Sequence, residues 1–239
     1  VPYTPRGATE VRAAGQAFLA MRARIERHIE SRTLMLSGVS HDLRSPLTRL
    51  KLGLALLPED DDTRALLADI ADMERLLDEF LAFARGDAVE ENVLADPSEV
   101  LRRVVAQRVR IAGAGGVKIG HVDGSTASMM RPDAVARALD NLIGNAQRYG
   151  SQVEVSLQVF PETLRFIIED NGPGIPADLR MQAAEPFSRL DAARNPNQGG
   201  GVGLGLAIAT DIARSHGGEL ILGISAGLGG LRAELRIAR

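Results

Sequence analysis

The chain has 239 residues, of which 45% are hydrophobic and 25% charged; its net charge is −3, and it contains neither Cys nor Trp. That length allows one large domain or two small ones. Without Cys, disulfides, thiolate metal sites and cysteine nucleophiles are excluded, and the mild negative charge excludes a general attraction to nucleic acid or an anionic membrane surface.

Aromatics are only 3% of the chain, so its cores must be built from Leu, Ile, Val and Ala, a usage that favours helices. No apolar run reaches the about 20 residues that span a bilayer. The opening VPYTPRGATE lacks the basic segment and apolar core of a signal peptide. Starting on Val in a Pro-containing stretch, it reads as a piece of a longer protein.

The first 86 residues read as helix almost throughout. Leu36, Val39, Leu43, Leu47, Leu50, Leu54 and Leu57 step by 3, 4, 4, 3, 4 and 3, a single stripe along a helix. Pro58 and the acids Glu59 to Asp62 break this helix and supply N-capping groups for a second. Leu66, Ile70, Met73, Leu77, Phe80 and Ala84 step by 4, 3, 4, 3 and 4 along it. Two such helices form an antiparallel hairpin that cannot bury both stripes alone. Pairing two copies into a four-helix bundle does, so a homodimer is expected.

Residues 86–95 read as a polar linker. Beyond it the pattern changes to α/β: a helix opened by Asp96-Pro97, short strands near 117–122 and 127–131, and a helix over 133–148. Strands over 153–160 and 163–169 flank a tight Pro161-Glu162 turn. A Gly-rich stretch then leads into a helix over 203–216, and strands 219–224 and 231–237 close the chain. This half should be a mixed sheet layered with helices.

Three segments of this half carry chemistry. Asn141 and Asn145, four apart on a helix, project from one face, and amide oxygens suit Mg²⁺ that keeps waters and binds substrate phosphates. Asp170-Asn171-Gly172-Pro173-Gly174 ends an apolar strand. Its glycines admit a ligand close to the backbone, and the Asp can accept a hydrogen bond from a base amino group. Residues 199–205 hold five glycines and end at a helix start, where free N–H groups favour phosphate. Neither a P-loop nor a Rossmann fingerprint is present.

Together and in this order, the segments DNLIGNAQRYG (140–150), EDNGPGIP (169–176) and GGGVGLGLAIA (199–209) resemble the N, G1 and G2 boxes of the GHKL superfamily. That superfamily includes histidine kinases, gyrase, Hsp90 and MutL. AEPFSRLD (184–191) is similar to the F box of histidine kinases. The resemblance implies an α/β sandwich binding ATP, with Asp170 reading the adenine amino group and Mg²⁺ on Asn145. It implies that Arg148 and Tyr149 line the nucleotide, that Gly172, Gly174, Gly201, Gly203, Leu204 and Gly205 shape its walls, and that Arg189 meets the terminal phosphate from a lid. Gyrase-like and Hsp90-like ATPases carry a water-activating Glu where this chain has Asn141, which points to a phosphoryl acceptor other than water.

Of His28, His41, His121 and His216, His41 has the telling setting, VSHDLRSPLT. It lies two residues past Val39, about 200° around the helix and off the apolar stripe. Asp42 can orient the imidazole or take its proton, and imidazole is largely neutral at neutral pH. Pro46 removes an N–H and favours a bend one turn on. The segment resembles the H box, and residues 7–50 are similar to the end of a HAMP module entering a dimerisation helix, as in EnvZ-like sensor histidine kinases of two-component systems.

The resemblance therefore implies an α plus α/β chain: a partial HAMP connector and second helix (1–30), a dimerising phosphotransfer hairpin (31–88) forming a four-helix bundle, and a GHKL-type catalytic domain (95–239). It implies autophosphorylation of His41 from ATP and transfer to an Asp of a response regulator receiver domain. Ser45, where the group often has Thr or Asn, bears on dephosphorylation of that regulator. This segment would be cytoplasmic, and the full-length protein anchored in the bacterial inner membrane by N-terminal segments not included here. The competing readings are a GHKL ATPase, disfavoured by Asn141, and a non-catalytic dimeric module, disfavoured by the intact boxes.

Overall fold

A computed structural model describes residues 8–58, 60–85, 90–112, 116–124, 127–188 and 203–239. The chain divides into two units, residues 1–85 and 86–239.

The first unit is two helices, α1 (Thr9–Leu54) and α2 (Asp61–Arg85). The helix α1 ends three residues before Leu57, the last position of the expected stripe, and continues through Pro46. Two residues on, the Thr48 hydroxyl donates to the Arg44 carbonyl at 2.9 Å, giving that turn an extra side-chain bond. Asp60 starts α2: its Oδ1 accepts from the Thr63 N–H at 2.7 Å, satisfying a donor the helix leaves free. This bond holds the Asp60 carboxyl below its ordinary pKa. A Lys51–Glu74 ion pair at 3.0 Å joins α1 to α2.

Packing α2 on α1 buries Ile70, yet Leu43, Leu50, Leu57, Leu66 and Met73 each remain about half exposed. Within one copy the predicted stripe is largely uncovered.

The second unit contains β1 (Val93–Ala95), α3 (Pro97–Ala112), β2 (Val117–Val122), β3 (Ser128–Met130), α4 (Pro132–Tyr149), β4 (Val153–Val159), β5 (Thr163–Asp170), α5 (Arg180–Ala183), α6 (Gly205–Ser215), β6 (Glu219–Ile224) and β7 (Leu231–Ala238). Five strands form a mixed sheet in the order β2-β4-β5-β7-β6, parallel only between β2 and β4. The stretch 86–95 is more than a linker, because its end is β1, paired antiparallel with β3.

Alternation builds the layers. Val153, Val155 and Leu157 of β4, Leu164, Phe166 and Ile168 of β5, and Leu235 and Ile237 of β7 are buried on one face. The helices α3, α4 and α6 cover this face with Leu101, Leu139, Ile143 and Ile212. The other face carries charge: Glu234 of β7 is buried between Arg232 and Arg236, with Arg236 Nε donating to its Oε1 at 2.7 Å. Burial would raise the Glu234 pKa, but hydrogen bonds from Arg236 and Arg232 outweigh it and hold it low.

Candidate nucleotide-binding site

The helix α4 carries Asn141, Asn145, Arg148 and Tyr149. Its apolar face, including Ala138, Leu139, Leu142, Ile143 and Ala146, is buried, which leaves the asparagines half-exposed along the flank. No side chain of Arg131, the N-cap residue, caps the helix start. Glu90 does so from a distance, its two carboxylate oxygens each accepting at 2.8 Å, one from the Asp133 N–H and one from the Ala134 N–H.

The start of α6 lies against this flank. A Cβ on Gly205 would stand 3.4 Å from Asn141 Oδ1, so the two helices approach closely where α6 presents its unpaired N–H groups. Before it, Leu204 is fully buried and Gly203 has φ +74°, a conformation that excludes most side chains. The Gly203 carbonyl accepts from the Phe187 N–H at 3.1 Å, which brings the F-box and G2-box segments together. Arg189 and Gly201, between them in sequence, lie outside the described residues.

Asp170 ends β5 and is 3% exposed. Its Oδ1 accepts from the Gly172 N–H at 2.8 Å and the Leu231 N–H at 3.1 Å, while the Gly230 N–H donates to its carbonyl at 3.0 Å. A Cβ on Gly230 would fall 2.4 Å from Asp170 Oδ1, so only glycine lets β7 begin here. One on Gly172 would fall 2.7 Å from the Tyr149 carbonyl, placing the end of α4 beside the G1 segment. Gly174 has φ +69° and faces Gly230. Asn171 Oδ1 ties the turn down, accepting from the N–H groups of Ser151 at 2.8 Å and Gln152 at 2.9 Å.

The structure therefore gathers Asn141 with Gly205, and Tyr149 with Asp170, Gly172 and Gly174, around one helix. His41, Asp42 and Ser45 belong to the other unit, on α1, and the His41 side chain is outside the described part. Of the other histidines, His216 Nδ1 sits 2.8 Å from the Ile212 carbonyl at the end of α6, and His121 Nε2 sits 2.7 Å from Asp123 Oδ1. The motifs pointed to neither Gly230 nor Leu231; a Gly-Gly pair before a strand signals only a turn. Glu90 gave no signal, because its partners lie 43 and 44 residues away.

The donor set fits the expected ligand. Fixed by two N–H groups on Oδ1, Asp170 has Oδ2 left to accept from an amino group. One or two amide oxygens on a half-exposed flank suit Mg²⁺ that arrives with phosphate oxygens and water.

Such a flank, Asp and Gly-rich helix start define an ATP-binding domain of the kind shared by histidine kinases, DNA gyrase B and HSP90, and the model of that family matches residues 130–238. The model of the His Kinase A phospho-acceptor domain matches residues 31–89. The chain is 35% identical over 240 residues to the sensor histidine kinase GtrS of Pseudomonas aeruginosa, covering 98% of this chain and 48% of that protein. It is 32% identical over 242 residues to the sensor histidine kinase CpxA of Escherichia coli, covering 97% of this chain and 52% of that protein. The ATP-binding domain of PrrB from Mycobacterium tuberculosis superposes with a TM-score of 0.52 at 28% identity, over 62% of this chain and 98% of that one. The chain belongs to the sensor histidine kinases. It spans about half the length of the curated relatives it matches.

Proposed function

We propose that this chain is the kinase portion of a dimeric sensor that transfers the γ-phosphoryl group of ATP to His41 and then to an Asp of a response regulator. The observation that carries the reading is Asn141. Where a hydrolase of this fold type needs a carboxylate, Asn141 has an amide whose Nδ2 donates to the Arg137 carbonyl at 2.9 Å. An amide takes no proton from water, so a tethered acceptor is favoured over hydrolysis.

Asp170 Oδ2 accepts from the adenine amino group, Tyr149 and Arg148 line the nucleotide, and the N–H groups at Gly203, Leu204 and Gly205 meet phosphate. Gly172, Gly174 and Gly201 keep the walls free of side chains, and Arg189 offsets charge on the transferred group. Mg²⁺ held by Asn145 would supply further charge neutralisation at the phosphates. A neutral ring nitrogen of His41 bonds to phosphorus as the bond to ADP breaks, and Asp42 takes the ring proton. The half-exposed stripe of Leu43, Leu50 and Leu57 supports pairing of two hairpins. Ser45, one turn after His41, retains a hydroxyl that can place water for dephosphorylating the regulator.

No described helix is long and apolar enough to cross a membrane. Membrane anchoring of the parent protein, with residues 1–30 as the end of a HAMP module, is part of this proposal and is supported by the relatives, which are named as sensors and of which this chain covers only 48% and 52%. Incubation with γ-labelled ATP should give acid-labile label on the wild type and none on His41→Gln. Equal labelling of the variant would overturn the assignment.

A further inference from the structure

Arg108 of α3 makes an unusual contact with the turn of α4 that bears both asparagines. Its Nε donates to Asp140 Oδ1 and its Nη2 to Asp140 Oδ2 at 2.6 Å, a two-pronged carboxylate pair. The same Nη2 also donates to the main-chain carbonyl of Asp140 at 2.6 Å. In an α-helix that carbonyl already accepts from the N–H of residue 144. Residue 144 is glycine, and a Cβ there would lie 2.7 Å from Arg108 Nη2. The guanidinium thus rests directly on the backbone between residues 140 and 144, with a side chain omitted to admit it. Asn141 and Asn145 are each the next residue after the two points it touches.

We propose that Arg108 is a positioning residue for the metal-bearing turn: by gripping both the side chain and the carbonyl of Asp140 it fixes the backbone from which Asn141 and Asn145 reach Mg²⁺ and phosphate. The inference rests on the proposed role of those asparagines. A planar fork is needed to reach a carboxylate and a carbonyl together, so Lys cannot replace Arg here. Arg103 provides the internal comparison. It also bridges α3 to α4, through Asp133 at 3.3 Å, but at an exposed site at the far end of α4. If the contact served only to hold the two helices together, the two arginines would be equivalent.

The test measures affinity of the purified chain for a non-hydrolysable ATP analogue, with Mg²⁺ and with excess chelator. Outer-shell partners of metal ligands are typically worth tenfold or more in metal affinity. Arg108→Met should therefore weaken binding about tenfold in Mg²⁺ and less than about twofold in chelator, with Arg108→Lys little better. Arg103→Met should leave both affinities near wild type. Gly144→Ala separates positioning from stability, since Ala favours helix over Gly. It should keep or raise the melting temperature yet reproduce the Mg²⁺-specific loss by displacing the guanidinium.

Equal losses with and without Mg²⁺, or unchanged affinity in Arg108→Met and Gly144→Ala, would overturn the inference while leaving the nucleotide site intact. If wild type itself binds no better with Mg²⁺, the role given to the asparagines falls, and this inference with it. Should Arg108→Met not fold, Gly144→Ala alone decides between these outcomes.

Discussion

In the hairpin, Leu43, Leu50 and Leu57 keep about half their surface exposed, whereas in the α/β unit Leu139, Phe166 and Leu235 are fully buried. Both units use the same aliphatic vocabulary. They differ in what one copy can cover: a sheet with helices on one face closes a core by itself, but two helices have no third surface to pack against. In the reading proposed above, the surface that completes the hairpin is a second copy of it.

The largest test of that contrast is Leu50→Glu. It should convert the dimer to a monomer in sedimentation and melt the hairpin, while nucleotide binding by the α/β unit persists. A dimer of unchanged mass would refute the shared stripe. Next is Phe166→Ala, which empties a fully buried site of the second unit and should cost about 3–5 kcal/mol in denaturant unfolding. Dimer mass should not change, since the loss belongs to a core that one copy completes.

The smallest effect is in acid. Each unit carries a carboxylate held below its ordinary pKa, Asp60 by the Thr63 N–H and Glu234 by Arg236 and Arg232 against its burial. A carboxyl depressed in the folded state stabilises fully above the usual carboxylate range and loses that contribution as pH falls through its folded value. Unfolding followed against pH should show an acid-side loss in the α/β unit that Glu234→Gln flattens. An unaltered acid limb would mean the arginines do not depend on that charge.

Local patterns made much of this legible. The 3–4 spacing gave both long helices, alternation gave β4 and β5, and four-residue spacing put Asn141 and Asn145 on one flank. Other features were hidden because their causes are distant in sequence. With only three residues, β1 shows no period, and it exists because β3 pairs with it. Pro46 does not end α1, which runs on through it. The anchoring of Asp170 by Gly230 and Leu231 spans 61 residues for the Leu231 bond, and no local signal announces such a contact.

The Glu90 cap on α4 also sets the length of a leash. Because the second unit is fastened at residue 90, only the links between Arg85 and Glu90 separate it from α2. Even fully extended they reach no more than about 18 Å. For the transfer proposed above, a donor and an acceptor joined by covalent links would meet at a concentration set by those links rather than by that of the protein in solution. Inserting residues between 85 and 90 should therefore change the rate of the proposed transfer to His41, read by labelling with γ-labelled ATP, while nucleotide affinity stays as it is.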